Sequence, residues 1–162
     1  MVLSRLNPAD KELALLLVDT GFRLDDIMHV RRWQLCKPTL TLLERKTGKL
    51  RTVSLSHTHI KHWTEGTSKK EHPLSFAFPR LARRGKRRKM HRTTFWRHFS
   101  EAVRSCGFAE CGYSPHSLRK VYAVNLLRRT RSLEFVQRDL GHSHIGTTAL
   151  YALSDVMDGA EA

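Results

Sequence analysis

The sequence predicts an α+β fold that is mainly helical and contains a small antiparallel β-sheet. Apolar residues recur at helical spacing in several segments, most clearly over residues 95–106. Strand-like alternation of apolar and polar residues is confined to two short runs, near positions 40 and 53. The chain has 162 residues, the size of one domain, and shows no internal repeat or low-complexity linker. We therefore expect a single domain over residues 1–162.

Two helices are predicted at the start of the chain. Asn7 can cap a helix whose first turn holds Pro8. Residues 13–18 are apolar nearly all round, so this helix should be buried. Gly21 suits the left-handed conformation that ends many helices, and a second short helix should begin at Arg23.

A β-hairpin is predicted next. The pattern changes to strands from Trp33, and Leu40 and Leu42 alternate with threonines before a second alternating run near Val53. Between the runs, residues 46–49 read Lys-Thr-Gly-Lys, and the glycine can adopt a positive φ at little cost. The tip of the hairpin should therefore be tight and basic.

The middle of the chain is expected to contain a short helix, a loop and a longer helix. Ser56 can cap the short helix, which should end at Gly66. Residues 67–92 have the composition of a loop, apart from an extended segment at 76–78. The amphipathic helix that follows should stop at Gly107.

Three more helices are predicted in the last third of the chain. One follows Pro115, and one begins at Ser132 and ends at Gly141. A final helix should run from Ser143 to about Leu153.

Charge is the strongest functional indication in the composition. Lys and Arg number 29 against 15 Asp and Glu, which gives a net charge of +14. An excess of this size indicates an anionic partner, and nucleic acid is the commonest because its phosphates release counterions on binding. A ribosomal or other basic RNA-binding protein would share this composition.

Several other classes of protein do not fit the composition. Three cysteines do not make a disulfide framework, which favours a reducing compartment. We see no signal peptide and no apolar run long enough to span a membrane. Cys106 and Cys111 lack a second pair of metal ligands, and so do the histidines near His59. We expect a soluble cytoplasmic protein that binds no metal.

Two segments carry groups that suit phosphate chemistry. His116 and Arg119 are three residues apart on a predicted helix, where both can donate to one phosphate. His142 follows a glycine at the predicted start of the last helix, and Tyr151 comes nine residues later. A phenol can attack phosphorus when its proton is removed and charge is stabilised nearby. A solvated polar face, a capping histidine and a core tyrosine are the alternatives.

Two more segments carry possible phosphate ligands. Arg23 follows a glycine at a helix junction, and Asp26 is close enough to orient it through a charged hydrogen bond. An ordinary surface ion pair is the alternative. At the hairpin tip, Lys46 or Lys49 could act as a mobile cation, although lysines in turns are usually only solvated.

Together and in this order, these segments resemble one family, the tyrosine recombinases, which include phage integrases and Xer-type chromosome resolvases. The segments TGFRLDDIMHVRRWQL and RKTGKLRTVSL resemble the first-arginine segment and the lysine hairpin of the family. FAFPRLARRG, SPHSLRKVYAVNLL and LGHSHIGTTALY resemble its later segments, including the His-x-x-Arg helix and the closing His and Tyr segment. The resemblance extends from about Leu6 to Asp155.

The resemblance implies a role for each matching residue. Arg23 and Arg119 match the two arginines that clamp the scissile phosphate. Lys46 matches the lysine that protonates the leaving 5′ oxygen, and Lys49 is a second candidate for that task. Asp26 matches a position that is often acidic and that supports the site.

The remaining site residues follow from the same resemblance. His116 matches a histidine that assists proton transfer at the attacking tyrosine. His142 matches a residue that hydrogen-bonds the phosphate. Tyr151 matches the nucleophile, whereas Tyr113 and Tyr122 are expected to be structural.

The implied activity is site-specific cleavage and rejoining of duplex DNA through a 3′-phosphotyrosyl intermediate. It needs no metal or cofactor, and the resemblance implies no small-molecule substrate and no membrane. Four copies would assemble on DNA as a homotetramer, and the chain alone would be a monomer or weak oligomer. A type IB topoisomerase and a non-catalytic DNA-binding regulator with the same fold are the alternative functions.

The resemblance also implies an extended DNA-binding surface. Family members usually carry an N-terminal DNA-binding domain, which we expect to be absent from this chain because Arg23 occurs so early. The basic residues expected to contact DNA are Lys49, Arg51, Arg83, Arg84, Lys86, Arg87, Arg88, Lys89, Arg92 and Lys120.

Overall fold

Helices make up most of the structure, a computed structural model that describes residues 1–65, 72–81 and 87–141. The α-helices, in chain order, are α1 Pro8–Thr20, α2 Leu24–Ile27, α3 Arg32–Leu35, α4 His57–Glu65, α5 Arg92–Ser105, α6 Pro115–Thr130 and α7 Leu133–Leu140. Short 3₁₀ helices lie at Val2–Arg5 and Ala109–Cys111. None of these helices is long and apolar enough to cross a membrane.

The strands form two antiparallel pairs in the described residues. Strand β1, Thr39–Glu44, pairs with β2, Lys49–Ser54, so that Glu44 lies opposite Lys49 beside the turn. Strand β3, Pro79–Leu81, pairs with β4, Arg87–Lys89. The predicted mainly helical fold with antiparallel β-structure is therefore confirmed.

Capping residues set the helix boundaries where the sequence predicted them. The side chain of Asn7 accepts a hydrogen bond from the backbone N–H of Asp10 at 3.0 Å, and Gly21 ends α1 with φ of 62°. Ser132 caps α7, and Gly141 ends it with φ of 60°. These four positions fix where the chain turns on either side of the candidate site.

Two predictions about the short elements are wrong. The segment from Trp33, which was expected to begin a strand, lies in α3. The loop expected over residues 67–92 contains β3 and β4. Long-range contacts stabilise this part of the chain: the Arg32 N–H donates to the Ser75 carbonyl at 3.1 Å. A helix of one turn carries too little periodicity to be recognised in the sequence.

The amphipathic face predicted for α5 is narrower than expected. Phe95 and Phe99 are buried, but Trp96 is 54% exposed. The predicted helix over residues 143–153 lies outside the described residues, as does Gly66.

Helix α1 lies in the main core, and α6 connects this core to a second apolar cluster. Leu13, Leu16 and Leu17 of α1 are almost completely buried. On α6, Leu118 belongs to the main core, whereas Tyr122 packs with residues of α7 in the second cluster. Arg119 lies between these two anchors in the sequence, so the packing on both sides fixes its backbone.

Candidate active site

Arg23 is positioned by the turn between α1 and α2. Gly21 turns the chain, the side chain of Phe22 is completely buried, and Arg23 is the N-terminal capping residue of α2. The Nη1 atom of Arg23 lies 3.0 Å from Oε2 of Glu44, and the side chain is 20% exposed. The buried side chain of Phe22 thus holds the adjacent Arg23 at the edge of the core.

Arg119 reaches the same carboxylate from α6. Its Nη1 atom donates to the Gly21 carbonyl and its Nη2 atom donates to the Leu140 carbonyl, each at 2.6 Å. Nη1 also lies 3.5 Å from Oε1 of Glu44. Arg119 therefore connects the end of α1 to the end of α7, and it faces Arg23 across one carboxylate.

Glu44, at the end of β1, is the shared partner of these arginines. The residue is 2% exposed, and Oε2 accepts a hydrogen bond from the Thr47 hydroxyl at 3.1 Å. A third guanidinium is close, since Nε of Arg51 lies 3.7 Å from Oε1. Burial alone would raise the pKa of Glu44, but Arg23, Arg119 and Arg51 outweigh it and hold the pKa below its usual range.

Arg51 completes the cluster from β2. Its Nη1 atom lies 3.0 Å from Oδ2 of Asp139, and Nη2 donates to the Thr20 carbonyl at 2.8 Å. The guanidinium carbon lies 4.0 Å from the ring centroid of Phe22, and the side chain is 10% exposed. The expected contact of Arg51 with DNA is thus not supported, because this side chain is enclosed within the protein.

The cluster carries more positive than negative charge. The three guanidinium groups of Arg23, Arg51 and Arg119 face the carboxylates of Glu44 and Asp139. Burial, together with repulsion from Arg23 and Arg51, lowers the pKa of Arg119 to about 10, although Glu44 opposes this shift. Charged groups in such a setting are stabilised by an added anion.

The guanidinium nitrogens around Glu44 also favour binding of an added anion. Nη1 of Arg23 and Nε of Arg51 are buried, and they lie 3.0 and 3.7 Å from the two carboxylate oxygens of Glu44. Three guanidinium groups share this one carboxylate, and a phosphate would offer them further acceptor oxygens. The arrangement has the charge and the donors of an oxyanion site.

Asp26 contacts the hairpin rather than Arg23. The carboxylate is 4% exposed, and Oδ1 accepts a hydrogen bond from the backbone N–H of Arg45 at 3.1 Å. Burial raises the pKa of Asp26, and the nearby charge of Glu44 raises it further. The charged hydrogen bond that we expected from Arg23 to Asp26 is replaced by the Arg23–Glu44 pair.

The residues expected to transfer protons are exposed, and each is close in sequence to a residue of the arginine cluster. Lys46 is in the hairpin turn two residues after Glu44, and Lys49 begins β2. His116 is exposed on the first turn of α6, one turn before Arg119. No contact that would assign a chemical step to any of the three is present among the described residues.

The remaining site predictions divide into two groups. Arg88, Arg92 and Lys120 are exposed, and Lys89 is half-buried. Those outside the described residues are Arg83, Arg84, Lys86, His142 and Tyr151, and Arg87 is described only as part of β4.

Sequence reasoning missed Glu44 and Asp139. The signal for Glu44 was present, because it follows Leu40 and Leu42 at alternate positions and therefore continues the inward face of β1. An acidic residue at an inward-facing position of a strand indicates a buried charge partner. Asp139 gave no such signal, because α7 is short and an acidic residue near its end is expected to be solvated.

A family model and several curated proteins are similar to this chain. The model described as the phage integrase family matches residues 4–157. Tyrosine recombinase XerA of Pyrococcus furiosus is 29% identical over 147 residues, covering 88% of this chain and 49% of the relative. Tyrosine recombinase XerD of Shewanella oneidensis is 31% identical, covering 88% and 48%. The chain spans about half the length of these relatives.

Solved structures share the fold at low identity. The crystal structure of XerA recombinase matches with a TM-score of 0.67 and 19% identity, over 95% of this chain and 57% of that one. The catalytic domain of bacteriophage HP1 integrase matches with a TM-score of 0.62 and 20% identity, over 93% of this chain and 80% of that one. XerH bound to its difH substrate matches with a TM-score of 0.66 and 19% identity, over 88% of this chain and 42% of that one.

Proposed function

The chain belongs to the phage integrase family, and we propose that it cuts and rejoins duplex DNA at a specific site through a covalent bond to Tyr151. One observation carries the proposal: Arg23 and Arg119, far apart in sequence, face the same carboxylate at 3.0 and 3.5 Å. Two guanidinium groups that meet at one carboxylate can also donate to the non-bridging oxygens of one phosphodiester.

The proposed reaction conserves the energy of the phosphodiester bond. The phenol oxygen of Tyr151 forms a bond to phosphorus while the bond from phosphorus to the 5′ oxygen breaks. Negative charge that develops on the non-bridging oxygens is stabilised by Arg23 and Arg119, which are held in place before DNA arrives. Rejoining reverses these steps at a second DNA end, so neither a metal nor a nucleotide is required.

Proton transfers are assigned to Lys46, Lys49 and His116, which are exposed, and to His142. Lys46 donates a proton to the leaving 5′ oxygen, with Lys49 as the second candidate for this role. His116 assists removal of the phenol proton, and His142 donates to the phosphate. The exposed turn that carries Lys46 suits this role because its side chain can approach the phosphate when DNA binds.

Duplex DNA is the proposed partner. Phosphate contacts supply most of the affinity of basic proteins for DNA, and the net charge of +14 favours them. In the solved structures, XerH is bound to its difH substrate. We propose that four copies act together on two DNA sites, with DNA bringing them together.

A nicked suicide duplex tests the proposal. Wild-type protein should form a DNA adduct that withstands denaturant, and Tyr151→Phe should abolish it, because the bond to phosphorus requires the phenol oxygen. Tyr113→Phe is the matched control, since Tyr113 is 49% exposed. Tyr122 is a poor control because its hydroxyl donates to Asp139 at 2.8 Å. Burial and this hydrogen bond raise the pKa of Tyr122 to about 12.

Each outcome of the adduct assay has a separate meaning. An adduct with Tyr151→Phe contradicts the assigned nucleophile. Relaxation of supercoiled plasmid without site preference would indicate a type IB topoisomerase. Tight binding to duplex DNA with no adduct from wild-type protein would indicate a non-catalytic regulator, and preference for structured RNA would indicate an RNA-binding protein.

A further inference from the structure

A second cationic cluster lies beside the arginine site, at the tip of the β1–β2 hairpin. Nη1 of Arg45 lies 2.7 Å from Nε2 of His29, and Nζ of Lys89 lies 2.8 Å from the same atom. These residues come from the hairpin turn, from the loop after α2 and from β4. Side chains from three separate parts of the chain thus bring their nitrogen atoms within hydrogen-bonding distance of Nε2 of His29.

The hydrogen bonds define the state of the His29 ring. Nδ1 lies 2.6 Å from the Asp25 carbonyl, which can only accept, so Nδ1 carries the hydrogen. Nε2 faces two cationic donors and is therefore the acceptor. An imidazole nitrogen has one lone pair, so a neutral His29 cannot fully satisfy both Arg45 and Lys89.

Nearby acidic groups do not neutralise the cluster. Asp25 is the carboxylate in reach, with Oδ2 at 3.8 Å from Nε of Arg45, and its side chain is 52% exposed. No carboxylate contact of Lys89 is found among the described residues. Arg45 thus has one half-exposed carboxylate at 3.8 Å, and both cations share one lone pair, which leaves room for an anion with several acceptor oxygens.

The cluster is adjacent to the arginine site. Arg45 follows Glu44 directly, so their Cα atoms are about 3.8 Å apart. The backbone N–H of Arg45 is bound by Asp26, which fixes the start of this side chain. A DNA strand carries a phosphate about every 3.4 Å along the helix axis, so a neighbouring phosphate falls within reach.

We propose that Arg45 and Lys89, with His29 between them, bind one non-scissile backbone phosphate of duplex DNA next to the phosphate held by Arg23 and Arg119. This inference rests on the proposed function, because it takes duplex DNA as the ligand. Binding would place the phosphate oxygens between the two cations and relieve their competition for the His29 lone pair. The hairpin that carries Lys46 would thereby be fixed relative to the DNA strand.

The salt dependence of DNA binding tests this site. We would measure the affinity of Tyr151→Phe protein for a 20-base-pair duplex of arbitrary sequence over a series of salt concentrations. Arg45→Gln and Lys89→Gln would be added singly and together. Arg45→Gln keeps the backbone N–H that Asp26 binds, and thermal unfolding would verify that each variant is folded.

The expected result is a loss of one phosphate contact. Each contact contributes about 0.9 to the slope of log affinity against log salt, so the double variant should lose about 0.9. The second substitution should add less than the first, since both cations bind the same phosphate. The matched control, Lys11→Gln with Lys61→Gln, removes two exposed charges elsewhere and should leave the slope unchanged.

Three results would overturn the inference: an unchanged slope in the double variant, a loss near 1.8 that indicates two separate phosphates, or an equal loss in the control. The measurement is independent of strand cleavage because Tyr151 is replaced throughout. An adduct from wild-type protein with no change of slope rejects this site alone. A change of slope without any adduct rejects the proposed cleavage and leaves the site standing.

Discussion

At the scale of single residues, the carboxylate of Glu44 decides how the arginines are arranged. It is buried, and Arg23, Arg51 and Arg119 surround it. Buried ion pairs add little net stability when complete, but removing one partner leaves uncompensated charge. Glu44 therefore acts as an internal anion that keeps the guanidinium groups together in the absence of DNA.

Replacing Glu44 should destabilise the protein strongly. We expect Glu44→Gln to lower the free energy of unfolding by about 3 kcal/mol, because the facing guanidinium groups lose their shared charge partner. Urea denaturation measures this loss, and added sulfate should recover part of it by occupying the same site. Glu65→Gln is the control, since Glu65 is 67% exposed and its change should stay within about 0.5 kcal/mol. Equal losses in the two variants would contradict the role of Glu44.

His59 should make stability depend on pH. Its Nδ1 and Nε2 atoms lie 2.7 Å from Glu12 and 2.9 Å from Asp19. Burial alone would lower the pKa of His59, but the two carboxylates raise it to about 9. The folded state therefore binds a proton more tightly than the unfolded state, whose histidine has a pKa near 6.5.

The sign of the pH effect follows from that difference. The stabilisation is fully present below about pH 6.5 and is lost as the pH rises through about 9. We expect a loss on the order of 2 kcal/mol between these values, reduced by the solvent exposure of Asp19. Urea denaturation of wild-type protein and of His59→Gln, below about pH 6.5 and above about pH 9, isolates this pH effect, which the variant should lack. The same loss in both proteins would assign it to other groups.

At the scale of secondary-structure elements, the junction of α1 and α6 matters most for the site. Gly21 ends α1, and a Cβ atom there would lie 2.1 Å from Cδ1 of Tyr122. The ring cannot easily move away, because its hydroxyl is bound to Asp139. The carbonyl of Gly21 also accepts from Arg119. The contact between these helices therefore requires a residue without a side chain.

Gly21→Ala should cost about 3 kcal/mol of stability, since it combines the strain of a positive φ with overlap against the Tyr122 ring. Gly48→Ala is the matched control. Its φ of 68° is similar, but nothing lies within 4 Å of the added carbon, so only the backbone cost of about 1 kcal/mol remains. Thermal unfolding compares the two, and equal shifts would show that the Tyr122 contact is unimportant.

The elements that the sequence predicted are those with strong local signals. Asn7, Gly21, Ser132 and Gly141 mark helix ends through their own backbone and side-chain chemistry, and the structure confirms them. By contrast, α3, β3 and β4 are too short for an apolar pattern to repeat within them. They depend on long-range contacts such as the hydrogen bond from Arg32 to Ser75.

The candidate site was predictable only in part. The resemblance to a family selected Arg23 and Arg119, and the structure brings them to one carboxylate. It did not select Glu44, because the partner of a buried charge is determined by packing between β1, α2 and α6 rather than by local sequence. Similarly, the carboxylates that bind His59 come from α1, a different part of the chain.

At the scale of the whole molecule, α6 joins the pieces of the proposed machinery. Its Leu118 and Tyr122 anchor the helix in two apolar clusters, and Arg119 between them contacts the ends of α1 and α7. The positive charge of the chain extends around this centre to the hairpin tip and to β4. This arrangement is consistent with the proposed binding of a DNA backbone around Arg119.

Removing the charge of the scissile phosphate tests whether Arg119 contacts the reacting group. Single-turnover cleavage would be measured for wild-type protein and Arg119→Ala on two nicked duplexes, one natural and one with a neutral methylphosphonate at the cleavage position. On natural DNA, Arg119→Ala should cost about 3 kcal/mol of transition-state stabilisation. On the methylphosphonate duplex, which lacks the charge that Arg119 neutralises, the cost should be much smaller. An equal cost on both duplexes would contradict direct contact between Arg119 and the reacting phosphate.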